Sequence, residues 1–438
     1  MSSSPSSSSF LKKTHLFLRF FTYALSTLFQ NLSHTLSATL HRLLYKPLPA
    51  ADHQRQNVVI VGASFAGYYA AQFLATSLPP THRVVVVEPH SHFHFTWVFP
   101  RLAAGGTNQA GHEHEAFIPY GPHLRRAPKD AVVWKRDKVE RVGRESVVLR
   151  GGEEVRYAYL LVATGSSAGP PSRMVGAEGK GEGVAVLRGV RERVEGAGNV
   201  VVVGGGAVGV EVATDAKSAW PEKKVTLVHS REVVLGRFGP ELRKVAMETM
   251  EELGVEVVLG ERVKDEGKGE GVVTLSSGRV LPCDYLIDCT GQKPVSGILT
   301  DISPSSISPS GHIRVKPTMQ LADESLPNVY AAGDVADTDA QKANARSAMK
   351  QAKVAADNIL LAIKGQQPRN QYKYVWQDGA ILLTLGLHKA VVNISDDETE
   401  MNIHTKGKDM SLHAASGWKH MGVKPFDDDY EAEKTLDN

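Results

Sequence analysis

Asn57-Val58-Val59-Ile60-Val61-Gly62-Ala63-Ser64-Phe65-Ala66-Gly67 decides the fold of this 438-residue chain. The β-branched run reads as a strand buried on both faces, and Tyr68-Tyr69-Ala70-Ala71-Gln72-Phe73-Leu74 reads as the helix that follows it. A glycine turn in that setting is a dinucleotide fingerprint. The first N–H groups of the helix are unpaired, and with the positive end of the helix dipole they face a pyrophosphate. Gly62 gives the tight turn, Gly67 lets the helix pack closely, and Ala63, Ser64, Phe65 and Ala66 lie between them against the phosphates. Ser64 stands where a middle glycine is usual; its Cβ narrows the approach, while its hydroxyl can donate to a phosphate. The next strand, Val84-Val85-Val86-Val87, ends in Glu88, 88 − 67 = 21 residues past the last glycine, where an acid accepts from the adenosine ribose.

The same logic recurs. Val200-Val201-Val202-Val203 leads into Gly204-Gly205-Gly206-Ala207-Val208-Gly209, with Gly204, Gly206 and Gly209 all in place, and a helix starts through Val210-Glu211-Val212-Ala213. Its second strand, Val225-Thr226-Leu227-Val228, runs into His229-Ser230-Arg231, so the position for a ribose-binding acid, 229 − 209 = 20 residues on, holds histidine. Without that carboxylate a 2′-phosphate is not repelled; Ser230 can donate to it and Arg231 can pair with it, which admits NADPH beside NADH. The competing reading makes Arg231 a solvated surface cation beside Glu232. Two dinucleotides held by one chain imply electron transfer.

The length gives room for two or three domains, and 42% hydrophobic content supports sizeable cores. A formal charge of +2, with no basic block outside the N-terminus, argues against a nucleic-acid partner. Only Cys283 and Cys289 occur, which excludes a disulfide scaffold, permits a reducing compartment and gives both thiols a packing role. The first 51 residues differ from the rest, with five Lys or Arg, no Asp or Glu, and a Ser-rich start. Leu25, Leu28, Phe29, Leu32, Leu36, Leu40 and Leu43 fall at helical spacing and predict an amphipathic helix. Arg19, Gln30, Asn31, His34, His41 and Arg42 interrupt it too often for a membrane span. A mitochondrial presequence, an interfacial anchor and a disordered tail stay open, while Met1-Ser2 lacks the glycine of N-myristoylation.

Farther along, Trp134 to Arg150 alternates as an antiparallel meander would. Tyr159-Leu160-Leu161-Val162-Ala163-Thr164-Gly165 reads as a buried strand ending in a glycine turn. Tyr285-Leu286-Ile287-Asp288-Cys289-Thr290-Gly291 reads as its later partner, so the two bracket the second unit as an insertion. Asn328-Val329-Tyr330-Ala331-Ala332-Gly333-Asp334 returns to the first unit with an aspartate at its end. His90, His92, His94, His112 and His114 do not show the i, i+4 spacing of a zinc helix and sit among loop residues, so no metal is expected.

Across roughly residues 57–365 this motif order resembles the two-dinucleotide-binding-domain flavoproteins of the pyridine nucleotide disulfide oxidoreductase superfamily. Within it, Ser91-His92-Phe93, Phe99-Pro100-Arg101 and Phe117-Ile118-Pro119-Tyr120 resemble the fungal apoptosis-inducing-factor-like, mitochondrion-associated inducer of death group. That group is related to ferroptosis suppressor protein and, more distantly, to type II NADH dehydrogenases. The resemblance implies an α/β fold of two Rossmann-like domains. An NAD(P)H domain (171–280) is inserted in an FAD domain (52–170 and 281–370), flanked by a targeting or anchoring segment (1–51) and a small α+β C-terminal domain (371–438), where Trp418 and Met421 anchor the end.

The resemblance also implies FAD in the first unit and NADPH or NADH as co-substrate. Asp334 then bonds the ribityl or phosphate end, Arg101 lies by the flavin, backbone near Lys138 and Val139 reaches the adenine, and the turns at Thr164, Gly165 and Gly291 complete the motif set. Trp97, Phe99 and Pro100 line the flavin face or a quinone slot, with plain core packing as their other reading. Glu211 lies at the nicotinamide–flavin junction, facing inward from the first helical turn; a charge on the helix dipole is its other reading. Glu211 and Pro100 are the catalytic candidates. The superfamily's redox-active Cys pair after the first fingerprint is missing, so electrons leave directly from the flavin. Lys342, Asn344, Arg346 and Lys350 occupy the segment where quinone-reducing relatives form the acceptor site, although the type II glutamine signature is absent there, and a solvated charged face is the other reading. The function expected is an FAD-dependent NAD(P)H oxidoreductase passing electrons to a quinone. It would act at the mitochondrial or cytoplasmic face of an intracellular membrane, touching it through the N-terminal segment. A nucleotide-sensing death-signalling protein, an NAD(P)H oxidase using oxygen, and a homodimer stay open.

Overall fold

The computed structural model describes residues 7–46, 55–106, 110–174, 176–269, 271–340, 342–396, 398–406 and 412–428. The extreme Ser-rich start and the charged C-terminal end lie outside them. In chain order the helices are α1 (Ser7–Leu44), α2 (Phe65–Ala75), α3 (Phe99–Ala104), α4 (Lys180–Gly196), α5 (Ala207–Ala219), α6 (Pro240–Leu253), α7 (Ala345–Ile363) and α8 (Ala414–His420).

The first fingerprint feeds a five-stranded parallel sheet ordered Val329–Ala331, Tyr159–Val162, Gln56–Val61, His82–Val87, Val132–Lys135. Val58 to Ile60 and Val84 to Val87 are buried on both faces, as crossover helices on a parallel sheet require. Val61 pairs with Val87, and that register brings the glycine turn beside Glu88. Trp134 belongs to this sheet, paired with Val86, and not to a meander. The antiparallel meander is Val139–Val142, Ser146–Leu149 and Glu154–Arg156. A half-buried edge strand alternates as a meander strand does, so the sequence pattern ran the two together.

The second unit holds a four-stranded parallel sheet ordered Glu256–Val258, Lys224–Val228, Asn199–Val203, Tyr285–Asp288, with a three-stranded antiparallel sheet from Val263 to Pro282. The strand Tyr285–Asp288 therefore pairs with Asn199–Val203 and not with Tyr159–Val162, which moves the insertion's end from 280 past 288. A buried apolar run closing in Thr-Gly looks alike at the end of either sheet. The crossing between the units is a short antiparallel pair, Ser166–Ser167 with Lys293–Pro294.

At the C-terminus, Ile381–Thr384, Lys389–Ser395 and Glu400–Lys406 form an antiparallel sheet, and α8 follows. Leu383, Leu385 and Val391 join the core of the second unit, while Trp418, Met421 and Val423 join that of the first. Trp418 is fully buried and its Nε1 donates to Glu115 O at 2.8 Å, so this small unit staples the two nucleotide units together.

Helix α1 runs 38 residues without Gly or Pro. Its side toward the body is a stripe of Leu16, Phe20, Tyr23, Thr27, His34, Ala38 and His41, spaced three, four or seven residues apart. Leu16 packs with Ala380 and Ile394, and the His34 ring stacks 4.4 Å from Phe73 of α2. The Leu25, Leu28, Phe29, Leu32, Leu36, Leu40 and Leu43 stripe points away from the body, from 40% exposed at Leu25 to 77% at Leu43. No described helix is long and apolar enough to cross a membrane.

Candidate functional site

The first turn is shaped by backbone contact. Gly62 has φ +92°, and a Cβ there would lie 2.6 Å from Ala163 O; a Cβ on Gly67 would lie 1.8 Å from Gly62 O. Ser64 is the exposed N-cap of α2 with extended backbone and makes no side-chain cap bond, which leaves its hydroxyl turned out at the helix start beside Phe65 and Ala66. Ala63 N donates to Glu88 Oε2 at 2.5 Å, and Glu88 Oε1 accepts from His90 N at 2.9 Å. The acid is thus fixed at the strand end. Asp334 accepts from Ser166 Oγ and Arg173 Nη2, both at 3.1 Å. Thr164 Oγ1 donates to Val295 O at 2.6 Å, and Gly165 takes φ +66°, so this turn launches the crossing into the second unit. Exposed Lys138 donates its N–H to Asp137 and accepts from Arg150 N, and Val139 opens the meander. The glycine cradle, the outward Ser64 and the fixed carboxylate fit an adenine dinucleotide.

The second turn copies the first with one change. Gly204 has φ +111° and a Cβ there would sit 2.5 Å from Cys289 O, while Gly209 would meet Gly204 O at 1.8 Å. Gly206 is the N-cap of α5, and neither it nor Gly291 has any atom within 4 Å of where a Cβ would lie. Gly205 N donates to His229 Nδ1 at 3.0 Å, the bond that Ala63 makes to Glu88 in the first unit. Burial, helped by Arg231, holds His229 below its ordinary value, so a neutral imidazole accepts that bond and no anion stands at the ribose position. Ser230 is half-buried and Arg231 exposed at the mouth. Burial raises the Cys289 thiol to about 12, which makes it a poor nucleophile.

Between the units lies a buried junction. Arg101, on α3 and 1% exposed, donates Nε and Nη2 to the two carboxylate oxygens of Asp215 at 2.8 and 3.1 Å, and Nη2 also reaches Gly386 O at 3.0 Å. The guanidinium of Arg101 joins α3, α5 and the C-terminal unit. The physical reason is that a buried guanidinium holds only when a carboxylate matches its fork. Pro100 and Phe99 are buried with it in α3, whereas Trp97 is 43% exposed. Glu211 stands one turn before Asp215, in the second turn of α5 rather than the first, and its Oε1 accepts from Thr384 N at 3.2 Å and Oγ1 at 3.3 Å. Burial raises its carboxyl to about 8, with Asp215 pushing the same way against the Thr384 bonds and Arg101. At neutral pH it carries a proton.

The polar residues in and just before the start of α7 form internal ties. Asn344 caps the helix, Lys342 Nζ donates to Ser395 Oγ at 3.0 Å, Arg346 donates to Asp378 O and Ala380 O, and Lys350 pairs with the Asp378 carboxylate at 2.9 Å. Asp378 is 0% exposed and also accepts from the Tyr23 hydroxyl of α1 at 2.5 Å. Asp215, Thr384, Asp378 and Tyr23 carry no motif spacing that could have flagged them. Three of these histidines have separate carboxylate partners, His90 with Glu88, His92 with Asp428 and His112 with Glu115. Among the described residues no group of three or more His, Cys, Asp or Glu could hold a metal ion.

A family described as pyridine nucleotide-disulphide oxidoreductase matches residues 56–358. The chain is 33% identical over 404 residues to Fe-regulated protein 8 of Mycosarcoma maydis, covering 87% of this chain and 98% of that one. It is 30% identical over 380 residues to Ferroptosis suppressor protein 1 of Homo sapiens, covering 84% and 96%. In fold it is similar to the sulfide:quinone oxidoreductase of Aquifex aeolicus, with TM-score 0.65 at 17% identity over 87% of this chain and 95% of that one. It is also similar to an engineered water-forming NADPH oxidase bound to NADPH, with TM-score 0.61 at 16% identity over 84% and 91%. With two glycine cradles in two Rossmann-like units, the chain belongs to the pyridine nucleotide-disulphide oxidoreductase family, as an oxidoreductase that takes FAD with NAD(P)H as co-substrate.

Proposed function

We propose that the protein passes electrons from NAD(P)H by way of FAD to a lipid-soluble quinone at a membrane surface. One observation carries this reading: both nucleotide cradles are intact, yet the chain's two thiols lie at 283 and 289, neither beside the first turn, and both are raised by burial. A disulfide relay has no place to form, so the electrons leave for an external acceptor. FAD supplies the two-electron exchange between nicotinamide and acceptor. The chain's own residues bind and orient. The Gly204–Gly209 turn and the start of α5 take the nicotinamide nucleotide's pyrophosphate, Ser230 and Arg231 take a 2′-phosphate, and Glu211 holds a proton rather than a charge at the junction. The likeness to a quinone oxidoreductase fold supports the acceptor. The outward apolar stripe of α1, on a helix with Lys12, Lys13, Arg19 and Arg42 and no acid, supports the surface, on the face of an intracellular membrane.

The test is anaerobic. Holoprotein mixed with NADPH or NADH should lose its yellow absorbance, and a short-chain ubiquinone should restore it within the same time range. Faster bleaching by NADPH than by NADH is the expectation from Arg231. Bleaching that only oxygen reverses would refute the quinone reading.

A further inference from the structure

The loop that carries the ribose acid of the first unit is held by groups the electron path does not use. Glu88 takes Ala63 N on one oxygen and His90 N and Nδ1 on the other, so its aim depends on where residues 88–92 lie. Ser91 N donates to Glu178 O at 2.8 Å, and Ser91 Oγ accepts at 3.1 Å from the N–H of Lys180, the first residue of α4. Ser91 Oγ also lies 2.7 Å from His92 Nδ1. On its other side the His92 ring meets Asp428 Oδ2 through Nε2 at 3.0 Å, and the Lys180 ammonium pairs with the same oxygen. An ionised carboxylate only accepts, so His92 carries a proton on Nε2.

The His92 and Lys180 side chains are 0% and 1% exposed, and a carboxylate facing them lets a buried ammonium stay charged. Burial would raise the Asp428 carboxyl, but the bonds from His92 and Lys180 bring it down to about 2, so it is ionised at neutral pH. Asp428 belongs to neither nucleotide unit. It follows a segment seated by Trp418, whose ring lies 5.5 Å from the Lys180 ammonium and 5.7 Å from the Phe426 ring. One carboxylate thus joins the C-terminal segment, the ribose loop of the first unit and the first turn of α4 in the second.

We propose that Asp428 is a positioning residue for FAD: it clasps the loop 88–92 to the start of α4 and so keeps Glu88 set for the adenosine ribose. The inference rests on the reading that the first cradle takes FAD. A loop ordered before the cofactor arrives binds it more tightly than one the cofactor must order. Asp428 touches no reacting atom, so the clasp governs retention of the flavin and not its turnover.

The test follows flavin escaping from holoprotein into flavin-free buffer, read in the filtrate of repeated ultrafiltration. Asp428→Asn keeps the shape and removes the charge. It should release FAD about tenfold faster, the size expected when one or two side chains must be ordered anew. Bleaching by NADPH and kcat, both measured with excess FAD, should stay at wild-type values. Arg191→Met breaks another buried ion pair of α4, that with Glu113, about three turns farther along the helix, and should release FAD at the wild-type rate. Should Asp428→Asn fail to fold around a lone buried ammonium, Asp428→Asn combined with Lys180→Gln leaves an uncharged amide pair and should still release FAD faster than the wild type. Release at the wild-type rate in the Asp428 variants, or equal acceleration by Arg191→Met, overturns the clasp alone. A wild type that carries no flavin overturns instead the reading of the first cradle.

Discussion

Asp215 is fully buried and gives both oxygens to Arg101, itself 1% exposed. Such a pair contributes little against well-packed apolar residues, but removing one partner leaves a charge with neither water nor counter-ion, at a cost of about 3–5 kcal/mol. Arg101→Met should therefore destabilise the protein by about that much, and Arg101→Met with Asp215→Leu should recover most of the loss in thermal unfolding of the holoprotein. Equal instability of single and double variants would contradict a compensated charge pair. One turn away, Glu211 predicts a pH effect of definite sign. Its folded value, about 8, lies above the ordinary carboxyl value of about 4.3, so between those values the folded chain keeps a proton that the unfolded chain has released. That stability is fully present below the unfolded value and is lost as pH rises through about 8. Glu211→Gln keeps an acceptor for Thr384 and removes the titration, so its unfolding midpoint should decline less than the wild type's between about pH 5 and pH 8. Parallel curves would refute the raised carboxyl. Residues such as Gly62 and Glu88 were legible because a local turn and strand period fix them. Asp215 was not, because its partner lies 114 residues away in the chain.

For the elements, the question at α1 is which face meets the body. Spacing predicts an amphipathic helix, and the leucine stripe would normally be the buried one. The stripe that docks is instead mixed, with Leu16 and Ala38 packed and Tyr23 and His34 bonded or stacked onto Asp378 and Phe73. Those partners are 355 and 39 positions away, beyond anything a helical period reports. The Tyr23 bond is made to a charged, fully buried acceptor, and such bonds are worth about 1.5–3 kcal/mol. Tyr23→Phe removes it while keeping the ring, so α1 should detach more often. Limited proteolysis should then cut within 7–44 several times faster, with the nucleotide units left whole; an unchanged cleavage rate would show that the bond does not hold the helix. The same distinction explains the strands. Buried β-branched runs announce themselves, but which sheet Tyr285–Asp288 joins depends on the path of the insertion, and the sequence period is the same for both sheets.

On the scale of the whole molecule, a net charge of +2 conceals an uneven distribution. The α1 helix carries Lys12, Lys13, Arg19 and Arg42 with no acid, and its outward stripe from Leu25 to Leu43 accounts for much of the protein's exposed large apolar surface. Extended at about 1.5 Å per residue, 38 residues make a rod about 57 Å long, able to lie flat against a surface over its full length. Each leucine transferred into lipid contributes about 1.5–3 kcal/mol, and each cation near anionic headgroups about 1 kcal/mol. Apolar burial should thus dominate, with charge a secondary gain. Flotation with vesicles containing anionic lipid should carry the protein upward, more weakly but still measurably in high salt. Leu28→Glu, Leu32→Glu and Leu36→Glu together should abolish flotation while NADPH still bleaches the flavin. Were a second copy of the chain to cover the stripe instead, light scattering would show a stable dimer and vesicles would compete poorly for it. The two occupants also differ in consequence. A dimer would bury the stripe without giving any lipid-soluble molecule a route to the protein, whereas a membrane beneath α1 sets the protein against the phase in which tailed quinones dissolve. Loss of vesicle binding in the triple variant should then lower the rate with vesicle-borne decylubiquinone far more than the rate with water-soluble ubiquinone-0.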